Sequence, residues 1–173
     1  MLAPFQENAI VRSQQLSPVT VGHVGIAEVR RLISTLEQLG RERHRPAIGE
    51  RNGLLVMVLF DAALRVSEGL GLRPQDILRN ESGWALQVMG KGHRPRQAAA
   101  SPSLVARLLA YTNQHALAPR DRLFQLTKGR AWAIIDEGLR TAGIPVPPGV
   151  GSVHMLRHSG ALWRLALTGN PKA

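Results

Sequence analysis

Apolar residues recur at helical spacing along much of the chain. Ile26, Val29, Leu32, Ile33, Leu36 and Leu39 fall on one face of a helix over 26–39. Residues 41–46 (RERHRP) break the pattern and read as a basic polar loop. The stretch 53–64 is apolar on nearly every side, which predicts a buried helix. Ser67 suits the cap of a second, short helix running toward Leu72, and Pro74 ends it. Arg65 stands between these two helices. Residues 1–16 show no period and read as the end of a linker.

The period then changes. In Gly83–Met89, Trp84, Leu86 and Val88 alternate with smaller or polar neighbours, as in a half-buried strand. Gly90-Lys91-Gly92 makes a turn, and 93–97 (HRPRQ) reads as a basic return strand that Pro95 restricts to an edge. Ser101-Pro102 opens another helix, with Leu104, Val105, Leu108 and Leu109 on its apolar face. A helix over 130–142 turns Trp132, Ile135 and Leu139 inward and stops at Gly143. A Pro/Gly-rich loop, 145–151, leads to Ser152 and a last helix. The expected class is mainly α with a small antiparallel β-sheet (α+β). An alternating strand–helix series, as a doubly wound fold needs, is not seen.

At 173 residues and 44% hydrophobic content, the chain is long enough for one domain with a sizeable core. Aromatics are 4%, so aliphatic side chains must fill that core. There is no cysteine, which excludes disulfides and thiolate metal sites and suits a reducing, cytoplasmic setting. No secretion signal is recognised at the start, and no apolar run approaches the ~20 residues that a bilayer requires. A membrane partner is therefore not expected. Lys+Arg number 22 against 12 Asp+Glu, a net charge of +10. Such an excess suits a polyanion, because neutralised phosphates release condensed counterions.

Three places carry candidate chemistry. His154 and Arg157 share a face of the last helix, and Arg164 continues it. Two guanidinium forks and an imidazole near a helix start could grip phosphate oxygens, or could form an ordinary solvated basic face. His154 and His158 have metal-ligand spacing, but Met155 stands where a zinc-protease helix needs Glu and no third ligand is evident, so no metal is expected. Lys91 lies between two glycines in a turn. The P-loop pattern is not met, so no nucleotide or other cofactor is expected. Arg65 directly follows an apolar helix, and Glu68 could be its charge partner.

The order of these features is more specific than any one of them. ALRVSEGLGLRPQDI (63–77) resembles the first arginine motif of the tyrosine recombinases, the phage-integrase type of DNA strand-transfer enzyme. HMLRHSGA (154–161) resembles their H-x-x-R box. GKGHRPR (90–96) looks like the β-hairpin that presents their catalytic lysine, and 123–144 looks like their linking helix. The resemblance covers 17–173 and implies the fold of that family's catalytic domain.

It also implies roles. Arg65 and Arg157 would clamp the scissile phosphate, His154 would assist by hydrogen bonding and proton handling, and Lys91 would be general acid toward the leaving 5′-hydroxyl. Glu68 would support Arg65. The partner would be double-stranded DNA, with self-association as a tetramer on DNA in the full-length parent. The family's nucleophile is a tyrosine roughly thirty residues past the second arginine. Sixteen residues follow Arg157, and the one tyrosine, Tyr111, matches an interior helical position. The expectation is an incomplete catalytic domain over 17–173 that binds DNA without cleaving it. The alternative is a non-catalytic DNA-binding module that regulates an intact recombinase. A helix-turn-helix regulator would need a recognition helix, and none is evident.

Overall fold

The computed structural model describes residues 23–169, so the expected linker over 1–16 and the expected domain start at 17 lie outside the described residues. Helix α1 (Ile26–Glu42) buries Ile26, Val29, Leu32 and Leu36, the face predicted from spacing. Helix α2 (Pro46–Asp61) is the central element, and every residue from Gly53 to Asp61 is buried. It starts at Pro46 rather than at residue 53, about two turns earlier than the sequence pattern indicates. Pro46 sits in the first turn, where its missing N–H costs nothing, and only residues 43–45 separate α1 from α2. Such a tight turn forces the two helices together. A Cβ on Gly40 would lie 2.5 Å from the Gly49 Cα, so this crossing admits only glycine.

Helix α3 (Val66–Gly71) is short. Its N-cap is Arg65 rather than Ser67. The Arg65 N–H is satisfied by the Glu68 carboxylate, 2.8 Å away, so a long acidic side chain folding back replaces the expected serine cap. A 3₁₀ turn (Pro74–Asp76) leads into the antiparallel sheet, with strands β1 (Ile77–Asn80), β2 (Gly83–Met89) and β3 (Pro95–Ala100) in that order. β2 lies centrally, with Leu86 opposite Ile77 on one side and Ala98 on the other. β1 was not distinguished in the sequence, because four residues are too few to show a period. Pro95 begins edge strand β3, where a missing donor is tolerated.

Helices α4 (Pro102–Gln114) and α5 (Lys128–Thr141) follow, capped by the Ser101 and Thr127 hydroxyls, and α6 (Ser152–Thr168) completes the described chain. Gly143 ends α5's turn with φ +65°, as a helix stop requires. The architecture is mainly helical with a small antiparallel sheet, as expected. Leucine dominates the fully buried side chains, joined by Phe124 and Ile135. No described helix is long and apolar enough to cross a membrane.

Helix α6 lies directly on α2. A Cβ at Gly160 would sit 1.9 Å from the Phe60 carbonyl oxygen, so backbone meets backbone there. One residue earlier, the Ser159 hydroxyl donates to the Met155 carbonyl at 2.7 Å and accepts the Val24 N–H at 2.9 Å. The small residues that follow Arg157 thus seat α6, and that seating positions Arg157.

Candidate active site

The site is built around the bend between α2 and α3. The chain leaves α2 at Asp61 and passes Ala63 with φ +48° before reaching Arg65 in extended conformation. Leu64 and Val66 on either side are buried, which turns Arg65 outward, its side chain 46% exposed. Glu68, one turn into α3, points back beneath it with its side chain 2% exposed. A carboxylate this buried needs compensation. It accepts from the Arg65 N–H at 2.8 Å, from Arg65 Nη1 at 3.1 Å, and from Arg96 Nη2 and Nε at 2.8 and 3.3 Å. Burial alone would raise the Glu68 pKa. The hydrogen bonds from Arg96 and Arg65, with the Arg96 charge, outweigh it and hold the carboxyl below its ordinary value.

Arg157 comes to the same bend from α6. Its Nε donates to the Ala63 carbonyl at 3.1 Å, two residues before Arg65. Burial lowers its pKa, and the neighbouring Arg65 and Arg96 charges add to this, while Glu68 opposes it. An arginine stays protonated under such a shift. Arg65 and Arg96 thus hold the Glu68 carboxylate, and Arg157 meets the same bend at Ala63, three guanidinium groups to one carboxylate and an excess of two positive charges. Two planar forks of this kind suit an anion with several oxygens, and a phosphate diester has the right chemistry.

His154, one turn before Arg157, is exposed, and its ring meets Trp132 of α5 edge-on at 5.9 Å between centroids. Lys91 occupies the 3₁₀ turn between β2 and β3 (Lys91–His93). The turn closes through the Gly90 N–H to the Arg94 carbonyl at 2.8 Å, and Gly92 takes φ +74°. Of the five residues expected from sequence, Arg65, Glu68 and Arg157 are brought together. His154 lies one turn before Arg157 on α6, with its ring against Trp132, and Lys91 is set on the hairpin whose next strand carries Arg96.

Two residues play parts that the sequence did not indicate. Helical spacing places Arg164 on the face of His154 and Arg157. Instead it turns to the protein, with Nη2 on Asp61 Oδ1 at 3.1 Å and on the Ala99 carbonyl at 2.6 Å, and Nε on the Asp61 carbonyl. Asp61 is buried and also accepts the Ser101 N–H at 3.0 Å, so Arg164 is a clamp between α2, β3 and α6. Arg96 was read only as part of a basic strand. It shares the inward face of β3 with buried Ala98 and Ala100, and a cation on such a face requires a buried anion. That period of two was the available signal.

Tyr111 lies in α4, 7% exposed, with its ring 4.3 Å from that of His115. Burial raises its pKa, the Arg51 charge partly offsets this, and Glu50 reinforces it. A buried, harder-to-ionise phenol is a poor nucleophile.

The family model described as the phage integrase family matches residues 26–171. The chain belongs to the phage integrase family. Among its relatives, tyrosine recombinase XerC of Nitrobacter winogradskyi is 27% identical over 168 residues, 94% of this chain and 52% of that protein. XerC of Brucella suis biovar 1 is 33% identical over 152 residues, 83% of this chain and 46% of the relative. The chain thus spans about half the length of the curated relatives it matches. Solved structures of recombinases and an integrase share its fold. The XerH site-specific recombinase bound to its difH substrate superposes with TM-score 0.67 over 86% of this chain and 44% of that one, at 20% identity. The catalytic domain of bacteriophage HP1 integrase gives 0.56 over 82% and 70%, also at 20% identity.

Proposed function

We propose that the protein takes part in site-specific DNA recombination or integration, by phosphodiester transesterification through a 3′-phosphotyrosyl intermediate, and that these residues grip the scissile phosphate. The observation that carries this reading is the convergence of Arg65 and Arg157 on one bend with an uncompensated positive charge. Phosphoryl transfer needs charge stabilisation and in-line positioning more than it needs covalent machinery. Arg65 and Arg157 neutralise the charge that builds on the non-bridging oxygens. His154, exposed on the same helix, hydrogen-bonds one of those oxygens. Lys91 protonates the leaving 5′-oxygen as its bond to phosphorus breaks, so that it departs as a hydroxyl, a contribution worth about 10²–10⁴-fold for a positioned general acid. The arginines stand on an open surface, and a duplex is too broad to enter a closed pocket. The DNA-bound recombinases that share this fold are consistent with a duplex as partner.

Tyr111 is the one tyrosine of the 173 residues, and its burial in α4 argues against attack from it. These residues by themselves are therefore expected to bind duplex DNA and leave it intact. Binding to a random-sequence duplex, followed across salt concentrations, tests the reading. Arg157→Ala should weaken it and reduce the magnitude of the slope of log K against log salt by about one. An unchanged slope would remove Arg157 from the phosphate. A covalent adduct at Tyr111 on a nicked substrate would overturn the assignment of the nucleophile.

A further inference from the structure

Glu68 faces two ways, and only one of its partners belongs to the expected catalytic set. Arg65 takes one hydrogen bond to the carboxylate by its side chain and one by its backbone. Arg96 takes two by its side chain, one to each oxygen. Both carboxylate oxygens are thereby fixed, and the plane of the carboxylate is set from the β3 side. Arg96 is 38% exposed at its side chain and comes from the strand that closes the Lys91 hairpin. Arg96 thus ties β3 directly to α3, which has only six residues with which to hold itself. A helix of that length has little intrinsic stability, so its tertiary partners set its position.

We infer that Arg96 is a positioning residue for phosphate binding: through Glu68 it holds the Arg65 guanidinium in place, and it locks the Lys91 hairpin to the Arg65 bend. The chain of contact is Arg96 to Glu68 to Arg65, each step a charge-assisted hydrogen bond at 2.8–3.3 Å. The Glu68 charge also offsets part of the repulsion that Arg157 meets from Arg65 and Arg96, so that three cations can share one bend. Without Arg96, Glu68 is free to rotate about a single remaining side-chain partner, and Arg65 loses a fixed orientation. Without Glu68, Arg96 has no route to Arg65. This inference rests on the DNA-binding reading above.

The dependence makes Arg96 separable from a direct DNA contact. Duplex affinity is measured at one salt concentration for the full chain, Arg96→Gln, Glu68→Gln and the double variant, with thermal unfolding of each. The full chain must first bind with a steep salt dependence. Failure there sinks the DNA-binding reading and not the role of Arg96. Arg96→Gln is expected to weaken binding about tenfold in the native background and less than about twofold in the Glu68→Gln background. Arg96→Lys, which keeps the charge and loses the fork, should restore part of the affinity. If Arg96→Gln weakens binding equally in both backgrounds, Arg96 touches DNA itself and the inference is wrong. It is equally wrong if the folded Arg96→Gln chain binds as the native chain does. Should Arg96→Gln not fold, Arg96→Lys carries the same comparison in the two backgrounds, with an expected loss of about threefold against none.

Discussion

Gly160 is the position where a single methyl group should do most harm. Its Cβ would stand 1.9 Å from the Phe60 oxygen, 2.8 Å from the Phe60 carbonyl carbon and 3.1 Å from its Cα. All three are backbone atoms of the buried helix α2, so no rotamer change can relieve the clash. Helices α2 and α6 would have to part by roughly 1 Å. Overpacking of this kind usually costs about 1–3 kcal/mol, toward or beyond the upper end when the obstacle is backbone. Replacing glycine by alanine in a helix interior returns about 1 kcal/mol. Gly160→Ala should therefore destabilise by about 2–3 kcal/mol, which lowers the melting temperature of a chain this long by roughly 5–10 °C. Separation of the helices also draws Arg157 off the Ala63 carbonyl, so DNA affinity should fall in the folded fraction. Thermal unfolding followed by circular dichroism is the assay. Gly71→Ala is the control, since nothing lies within 4 Å of a Cβ there, and it should stabilise by up to about 1 kcal/mol. If Gly160→Ala melted within about 2 °C of the native chain while Gly71→Ala behaved as expected, the close α2–α6 contact would be refuted.

Other outcomes follow from the ion pairs. Arg164→Ala takes the guanidinium away from the buried Asp61 carboxylate and leaves it the Ser101 N–H. It should lower stability in urea unfolding by about 2–4 kcal/mol without changing the salt slope of DNA binding. Stability equal to the native chain would show that the clamp is idle. The Glu68 carboxyl is held below its ordinary pKa, so its folded form binds a proton less readily than the unfolded form does. Its contribution is fully present above about pH 5 and is lost as pH falls through the lowered folded value. The acid limb of stability against pH should be shallower in Glu68→Gln, and coincident limbs would contradict the shift. Tyr111→Phe should leave duplex binding unchanged, because the ring is buried within α4, and a loss of binding would place that hydroxyl at the DNA.

Period and punctuation in the chain determined much of the fold. The apolar stripe of α1, the all-round burial of α2, the alternation in β2 and the Ser101-Pro102 start of α4 follow from local chemistry, since each depends on residues within a few positions of one another. Helix limits were less legible. Pro46 starts a helix where the sequence suggests a loop, because a proline in a helix's first turn and one in a loop look alike until the hydrogen bonds are placed.

The site divides in the same way. Arg65 and Glu68 are three residues apart, as N-cap and third helical residue, and His154 and Arg157 are three apart on one helix face, so local geometry alone sets each pair. That Arg157 meets the Arg65 bend was decided by the close seating of α6 on α2 at Gly160, a contact between positions one hundred residues apart. The fates of Arg96 and Arg164 were decided by the same kind of long-range packing. Both look like solvent-facing cations in the sequence. One became the second partner of Glu68 and the other a clamp on Asp61, because burial of a carboxylate is costly and the nearest guanidinium brought within reach is drawn to it. Local sequence thus determined which residues could carry phosphate chemistry, and tertiary packing decided which arginines face the phosphate and which hold the frame.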